Sequence, residues 1–376
     1  MSSFARWSSL FAEIFRPRRT ASIGIALAAI SLVAMSPRSR AETDAVQGRV
    51  ITRRAVVVNP ATHKVYAVDE GAGTVSVIDE RTGATRTVRV GKKPIAIAIN
   101  SKTNRIYVAN TGSGSISVID GSRDAVIETV KGEAQPYVLA VNDVTNKVYV
   151  TNTYSDMVTV IDGATNTARA LKAGSADGIA IDPRNNTIFL MTYEDPNVRV
   201  IDGSTETVRK VAVGTHLWGM IFDPSANALY LGHTGTADLV AMNEKTHEVH
   251  TIPVGAIPCA VAVNAVTHRI YVVNYGDQTV SVIDSAKGKV IATLPVGEHP
   301  QAISVDPERD RIYVANVHGD SVTVIDGATN KVIGTLHAGK NPYALAVDRS
   351  TGHVYTANYG EPSVTAMDVA HVSDAK

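Results

Sequence analysis

Few side chains in this 376-residue sequence are able to do chemistry, and they are scattered: eleven His, thirteen Tyr, two Trp and a single Cys. One Cys excludes an internal disulfide framework, a cysteine-rich zinc site and the Cys-x-x-Cys-His attachment of a c-type haem. No Gly-x-Ser-x-Gly elbow, phosphate loop or His-Glu-x-x-His pair occurs. Unusual residues concentrate in one stretch, where Tyr193 and Glu194 precede His216, Trp218 and His233. Two imidazoles and a carboxylate (His216, His233, Glu194) are donor types for a divalent transition metal, although no short His-to-His spacing binds them together. The same Trp, Tyr and His also make an anchor for an organic ligand, offering a large apolar face, a hydrogen-bond handle and a proton that moves near neutrality. Cys259 follows Pro258 at the start of an apolar run, which suits a buried structural thiol; a nucleophile would need a His base that the sequence does not place beside it.

The elements that must position these residues are repeats. A Val-Ile-Asp-like tripeptide ends at Asp79, Asp120, Asp162, Asp202, Asn243, Asp284, Asp326 and Asp368. Ahead of each lie an Ile-Tyr-Val-Ala-Asn-like run, as at 106–110, and before that a short apolar run such as Ile95 to Ile99. A further β-branched run follows each of the first seven. Four short strands per unit of roughly 40 residues, separated by Asn, Asp, Gly and Pro turns, are the signature of a β-propeller blade. The expected fold is therefore all-β: an eight-bladed propeller of four-stranded antiparallel blades (strands a to d, inner to outer), forming one domain over residues 42–376. Inner strands are expected to begin near 55, 95, 137, 178, 218, 259, 301 and 343. Too few residues follow Asp368 for an outer strand in the last blade, so residues 44–51 are expected to supply it and close the ring. The recurring turn Asp and Asn residues, and the Tyr at one strand-b position, read as turn chemistry and packing.

The runs Ile106-Tyr107-Val108-Ala109-Asn110, Val148-Tyr149-Val150-Thr151-Asn152 and Thr279 to Asp284 resemble YVTN-family β-propeller repeats, over essentially all of residues 50–368. The resemblance implies an exported or surface-layer type of protein, and a propeller similar to the eight-bladed haem d1 domain of cytochrome cd1 nitrite reductases. It implies no single activity.

Residues 1–41 read as a secretory signal peptide: a basic start, an uncharged run from Thr20 to Met35, and Ser39 and Ala41 at the cleavage positions. The expected location is the periplasm or outside the cell. The whole chain balances 36 basic against 36 acidic residues; removing six Arg and Glu13 with the leader leaves 30 and 35, a formal charge of −5.

Function belongs where the repeats differ. The d–a and b–c connections emerge on one face of a propeller, around the mouth of its central channel. Six Tyr outside the strand-b set map there: Tyr137, Tyr154, Tyr193, Tyr275, Tyr343 and Tyr359, together with Trp218, His216, His233, His299 and His318. The leading expectation is a binding or scaffold propeller that presents this face to a small molecule, peptide or protein, with no cofactor of its own and no catalytic residue assigned. The second is a metal protein or an oxidoreductase- or lyase-type enzyme centred on blades four and five. The third, nucleic-acid binding by base stacking, meets a surplus of acidic over basic residues in the same loops.

Overall fold

The Val, Ile and Thr enrichment of each repeat is realised as β-strands throughout: a computed structural model describes residues 55–359, 363–369 and 372, and among them it holds 31 strands and one short 3-10 turn. The strands form eight antiparallel sheets, each following chain order from inner to outer strand. This is an eight-bladed β-propeller. The inner strands start at Val56, Pro94, Pro136, Gly178, Leu217, Pro258, Pro300 and Pro342, each within one residue of its expected position. Blade five serves as the pattern, with strand a at Leu217–Asp223, b at Ala228–His233, c at Asp238–Asn243 and d at Val249–Pro253. Seven blades have four strands, and the described residues of blade eight supply three; the 44–51 segment expected beside them lies outside the described residues, as does the leader. Among the described residues no helix is long and apolar enough to cross a membrane.

Strands a to c are largely buried on both faces because each blade packs against two others, strand c of blade eight (Ser363–Met367) being the exception. Tyr66, Tyr107, Tyr149, Phe189, Tyr271 and Tyr313, all at the repeated strand-b position, are fully buried, as packing residues should be. Outer strands meet water, as the alternation along Lys289–Pro295 shows. The last blade meets the first through Ala344, Tyr355 and Ala357 against Ala55, Val56, Val65 and Ala67, so the ring closes on a continuous apolar core.

The turn residues do more than turn the chain. At the end of strand a, the Asn59 side-chain oxygen accepts from the Ala61 N–H at 3.1 Å, while its nitrogen donates to Asn104 Oδ1 of the next blade at 2.7 Å. Asn100 reaches Asn146 at 2.8 Å, and Asn142 reaches Asn186 and Asn264 reaches Asp310, each at 2.7 Å. The residue at the receiving position has left-handed backbone in all eight a–b turns, from His63 (φ 54°) to Gly352 (φ 82°), a conformation that Gly adopts freely and that Asn, Asp and His tolerate better than most residues. An Asp at the donating position has no N–H to give. Two of them recruit an arginine: Arg184 forks onto Asp182 and donates to Asn227 at 2.8 Å, and Arg309 bonds Asp306 and the Arg349 carbonyl. These latches tie blades together on the face of the a–b turns.

Candidate functional site

On the other face, antiparallel pairing sets the start of strand a beside the end of strand b, as in Leu217 with His233, Pro258 with Asn274 and Pro300 with Asn316. The residue just before strand a is left-handed in six blades: Lys93, Gln135, His216, Ile257, His299 and Asn341. Its carbonyl accepts from the N–H of the first residue after strand b, at 3.0 Å for Thr234 on His216, Tyr275 on Ile257 and Val317 on His299. The backbone of this rim is therefore repeated while the side chains it carries differ.

Two of those differences match each other. Tyr193, after strand b of blade four, meets His216 of blade five edge-on, with ring centroids 5.1 Å apart. Tyr275 of blade six meets His299 of blade seven in the same relation, also at 5.1 Å. The first pair is held by the His216 N–H on the Tyr193 carbonyl (2.6 Å) and the Tyr193 N–H on Asp177 Oδ2 (3.2 Å). Trp218 stands behind Tyr193 at 5.9 Å. His318 extends the second pair, 4.1 Å from His299, and Tyr343 and Tyr359 form a third contact at 6.1 Å.

Exposure divides the remaining sequence candidates. His216, Glu194 and Tyr154 are exposed, and Tyr193, His233, His299, Tyr343 and Tyr359 are half-buried. Tyr137, Trp218 and Tyr275 are buried in the cores between blades. Tyr137 thus packs blades two and three together, and Trp218 and Tyr275 back the rim from beneath. His216, His233 and Glu194 do not form a group of metal-ligand geometry; the described residues contain one such group, His63, Glu80 and Asp348 on the opposite face. The ring nitrogens of the first two are engaged locally instead: His233 Nδ1 by Thr236 at 2.9 Å and Asp238 at 3.2 Å, and His216 Nδ1 by Thr215 at 2.9 Å. Cys259 is fully buried and burial pushes its thiol far up, so the thiolate needed of a nucleophile does not form.

Broken repetition in blade four also has a packing account. In five blades the Asn ending strand b donates to a Ser or Thr of strand c, as Asn274 does to Ser281 at 2.9 Å and Asn358 to Thr365 at 2.8 Å. In blade four the pair is Thr192 and Arg199: the buried guanidinium donates to Thr192 Oγ1 at 2.8 Å and to the Ser175 carbonyl. The strand-c sequence carried this signal, since Arg199 stands where most blades have Ser or Thr.

Burial, and secondarily His318, hold the His299 imidazole below its usual range, against a smaller opposing pull from Glu298. A histidine with a depressed folded pKa contributes its full stability above the ordinary value of about 6.5 and loses it as pH falls below. Urea unfolding of the wild type should therefore weaken between pH 7.5 and 5 more steeply than that of His299→Gln; parallel curves would show that His299 does not titrate in this way.

A family model described as a YNCE-like beta-propeller matches residues 32–345. The chain belongs to the YNCE-like β-propeller family. No curated protein matches the sequence. Among solved structures, this YNCE-like propeller is similar to dihydro-heme d1 dehydrogenase NirN in complex with DHE (TM-score 0.72, 13% identity, 86% of this chain and 74% of that one). It is similar also to Sqt1 of Saccharomyces cerevisiae (TM-score 0.71, 10% identity, 84% and 96%) and to hydrazine synthase of Kuenenia stuttgartiensis (TM-score 0.59, 19% identity, 85% and 96%). At these identities the likeness is one of fold.

Proposed function

We propose that this YNCE-like propeller is an exported binding protein that takes a ligand on the rim formed by the d–a and b–c loops. The observation that carries the reading is the recurrence of one Tyr–His pair at equivalent positions two blades apart, on a backbone frame that the other blades fill with Lys, Gln, Ile or Asn. A frame held constant while its side chains vary suits recognition: the half-buried Tyr193 with the exposed His216 offers apolar surface beside a hydrogen-bonding nitrogen, and Tyr275 supports His299 from beneath. Glu194, Asp177, Asp277, Glu298 and Asp320 stand among them, which favours a neutral or cationic ligand over a polyanion. NirN, a dihydro-heme d1 dehydrogenase of similar fold, is known in complex with DHE, and a tetrapyrrole is accordingly one probe of this rim.

Trp218 is the one Trp after residue 41 and lies 5.9 Å from Tyr193, so its fluorescence reports on the rim. Titration with a tetrapyrrole, an aromatic cation and a single-stranded oligonucleotide should show quenching by one of the first two. Tyr193→Ala and His216→Ala should each weaken that binding by about 30-fold, the loss expected of an anchor worth about 2 kcal/mol. His268→Ala, on the opposite face, should leave it unchanged. Tightest binding of the oligonucleotide, or a loss confined to His268→Ala, would overturn the reading.

A further inference from the structure

We infer that the seam between blades eight and one holds a divalent transition-metal ion, coordinated by His63 Nδ1, Glu80 Oε2 and Asp348 Oδ2. The three donor atoms lie within 4.8 Å of one another, on the face opposite the rim.

The repeat itself shows why this junction is different. Each Val-Ile-Asp-like tripeptide is followed by a residue that faces the end of strand a in the preceding blade. Gly121, Gly163, Gly203, Ser285 and Gly327 put no charge there; only Glu80 and Glu244 are acidic. Both meet an Asp of the preceding blade: Glu244 comes near Asp182, and Glu80 near Asp348. At the blade four–five junction the two carboxylates are compensated from within the chain. Arg184 lies 2.7 Å from Asp182 Oδ2 and 3.7 Å from Glu244 Oε2, and Asn185 donates to Glu244 Oε1 at 2.8 Å. At the seam the residue corresponding to Arg184 is Ser350, which donates its N–H and hydroxyl to Asp348 Oδ1 at 2.7 and 2.6 Å.

Asp348 Oδ2 is thereby left aimed at Glu80 and His63. The Glu80 and Asp348 side chains are 2% and 0% exposed. No N–H donor reaches either Glu80 oxygen or Asp348 Oδ2; the Tyr355 hydroxyl approaches Glu80, and the two carboxyl groups lie close enough to share a proton. Their ion pairs among the described residues are both with His63, at 3.9 and 4.0 Å, beyond hydrogen-bond length. Two buried carboxyl groups side by side must share either a proton or a cation, and a cation with His63 as third donor satisfies all the open oxygens at once. One imidazole with two carboxylates is a donor set for zinc or manganese rather than for calcium or magnesium, and His63, at 25% exposure, leaves a side open to solvent for loading and for a water ligand. The metal would do for blades eight and one what Arg184 does for blades four and five.

The full chain, treated with EDTA and then titrated with Zn2+ and with Mn2+, provides the test, read by elemental analysis and thermal unfolding. One ion per chain is expected, with a rise of several degrees in Tm that EDTA reverses. Glu80→Gln and Asp348→Asn should abolish both effects, His63→Ala should weaken binding at least about tenfold, and His216→Ala and Glu244→Gln should change neither. Failure of the wild type to bind either ion overturns the inference, as does binding that survives Glu80→Gln or disappears with His216→Ala.

Discussion

Replacing Arg199 by alanine should lower the stability of the propeller by about 3 kcal/mol, the scale of breaking a buried, charge-assisted network on one side. The guanidinium is 8% exposed and bridges Thr192, the Ser175 carbonyl and, at 3.9 Å, Asp195. Truncation leaves those half-buried acceptors without their donor and opens a cavity where the side chain passed. The informative partner is the double variant Thr192→Asn with Arg199→Ser, which writes into blade four the pairing that Asn274 and Ser281 make in blade six. Most of the lost stability should return in the double variant although neither single change helps, a coupling readable from chemical unfolding in a double-mutant cycle. Additive losses would mean that blade four requires its arginine for something other than this latch.

A second large effect is expected at Gly219. This residue sits in the bulge of strand a in blade five, between Trp218 and Met220, with φ +65°. A Cβ built there would lie 2.6 Å from the Cys259 carbonyl oxygen and 3.1 Å from Ala260 Cα, both backbone of blade six. Left-handed geometry costs an alanine roughly 1–2 kcal/mol and the collision about 1–3 more. Gly219→Ala should therefore cost about 3 kcal/mol, and its Trp218 emission should shift to the red as blades five and six part. Gly71→Ala, where the nearest atom is 3.5 Å away, serves as control and should stay within about 0.5 kcal/mol of wild type. A Gly219→Ala protein as stable as that control would show that the two blades can separate locally without loss.

Blade number and the starts of the inner strands were legible because the tripeptide, the Tyr run and the turn residues recur as a period, and period survives without coordinates. What each recurring residue touches was not. Asn59 and Asn104 are 45 positions apart, and only the stacking of one sheet on the next brings the nitrogen of one to the oxygen of the other. The sequence assigned these aromatics to one face, yet Tyr137, Trp218 and Tyr275 read as surface and are buried, since positions at the top of strand a and just after strand b face the neighbouring blade as much as the channel. The reason Thr192 replaces the usual Asn was not legible, because its partner, Arg199, lies seven positions on in a different strand. The His63, Glu80 and Asp348 group joins the two ends of the repeat array, and residues so far apart carry no shared spacing to notice.

That seam also orders the folding of the molecule. Every other latch joins segments about one repeat apart and forms as soon as two consecutive blades exist; His63 and Asp348 are separated by nearly the whole chain. By the logarithmic growth of loop entropy, bringing together ends 285 residues apart costs only about 2 kcal/mol more than closing one repeat. The contact is nonetheless available only after all the intervening blades have stacked. Assembly should thus proceed as a growing open arc, with closure of blade eight on blade one as its final event and the reopening of that joint as the first step of unfolding.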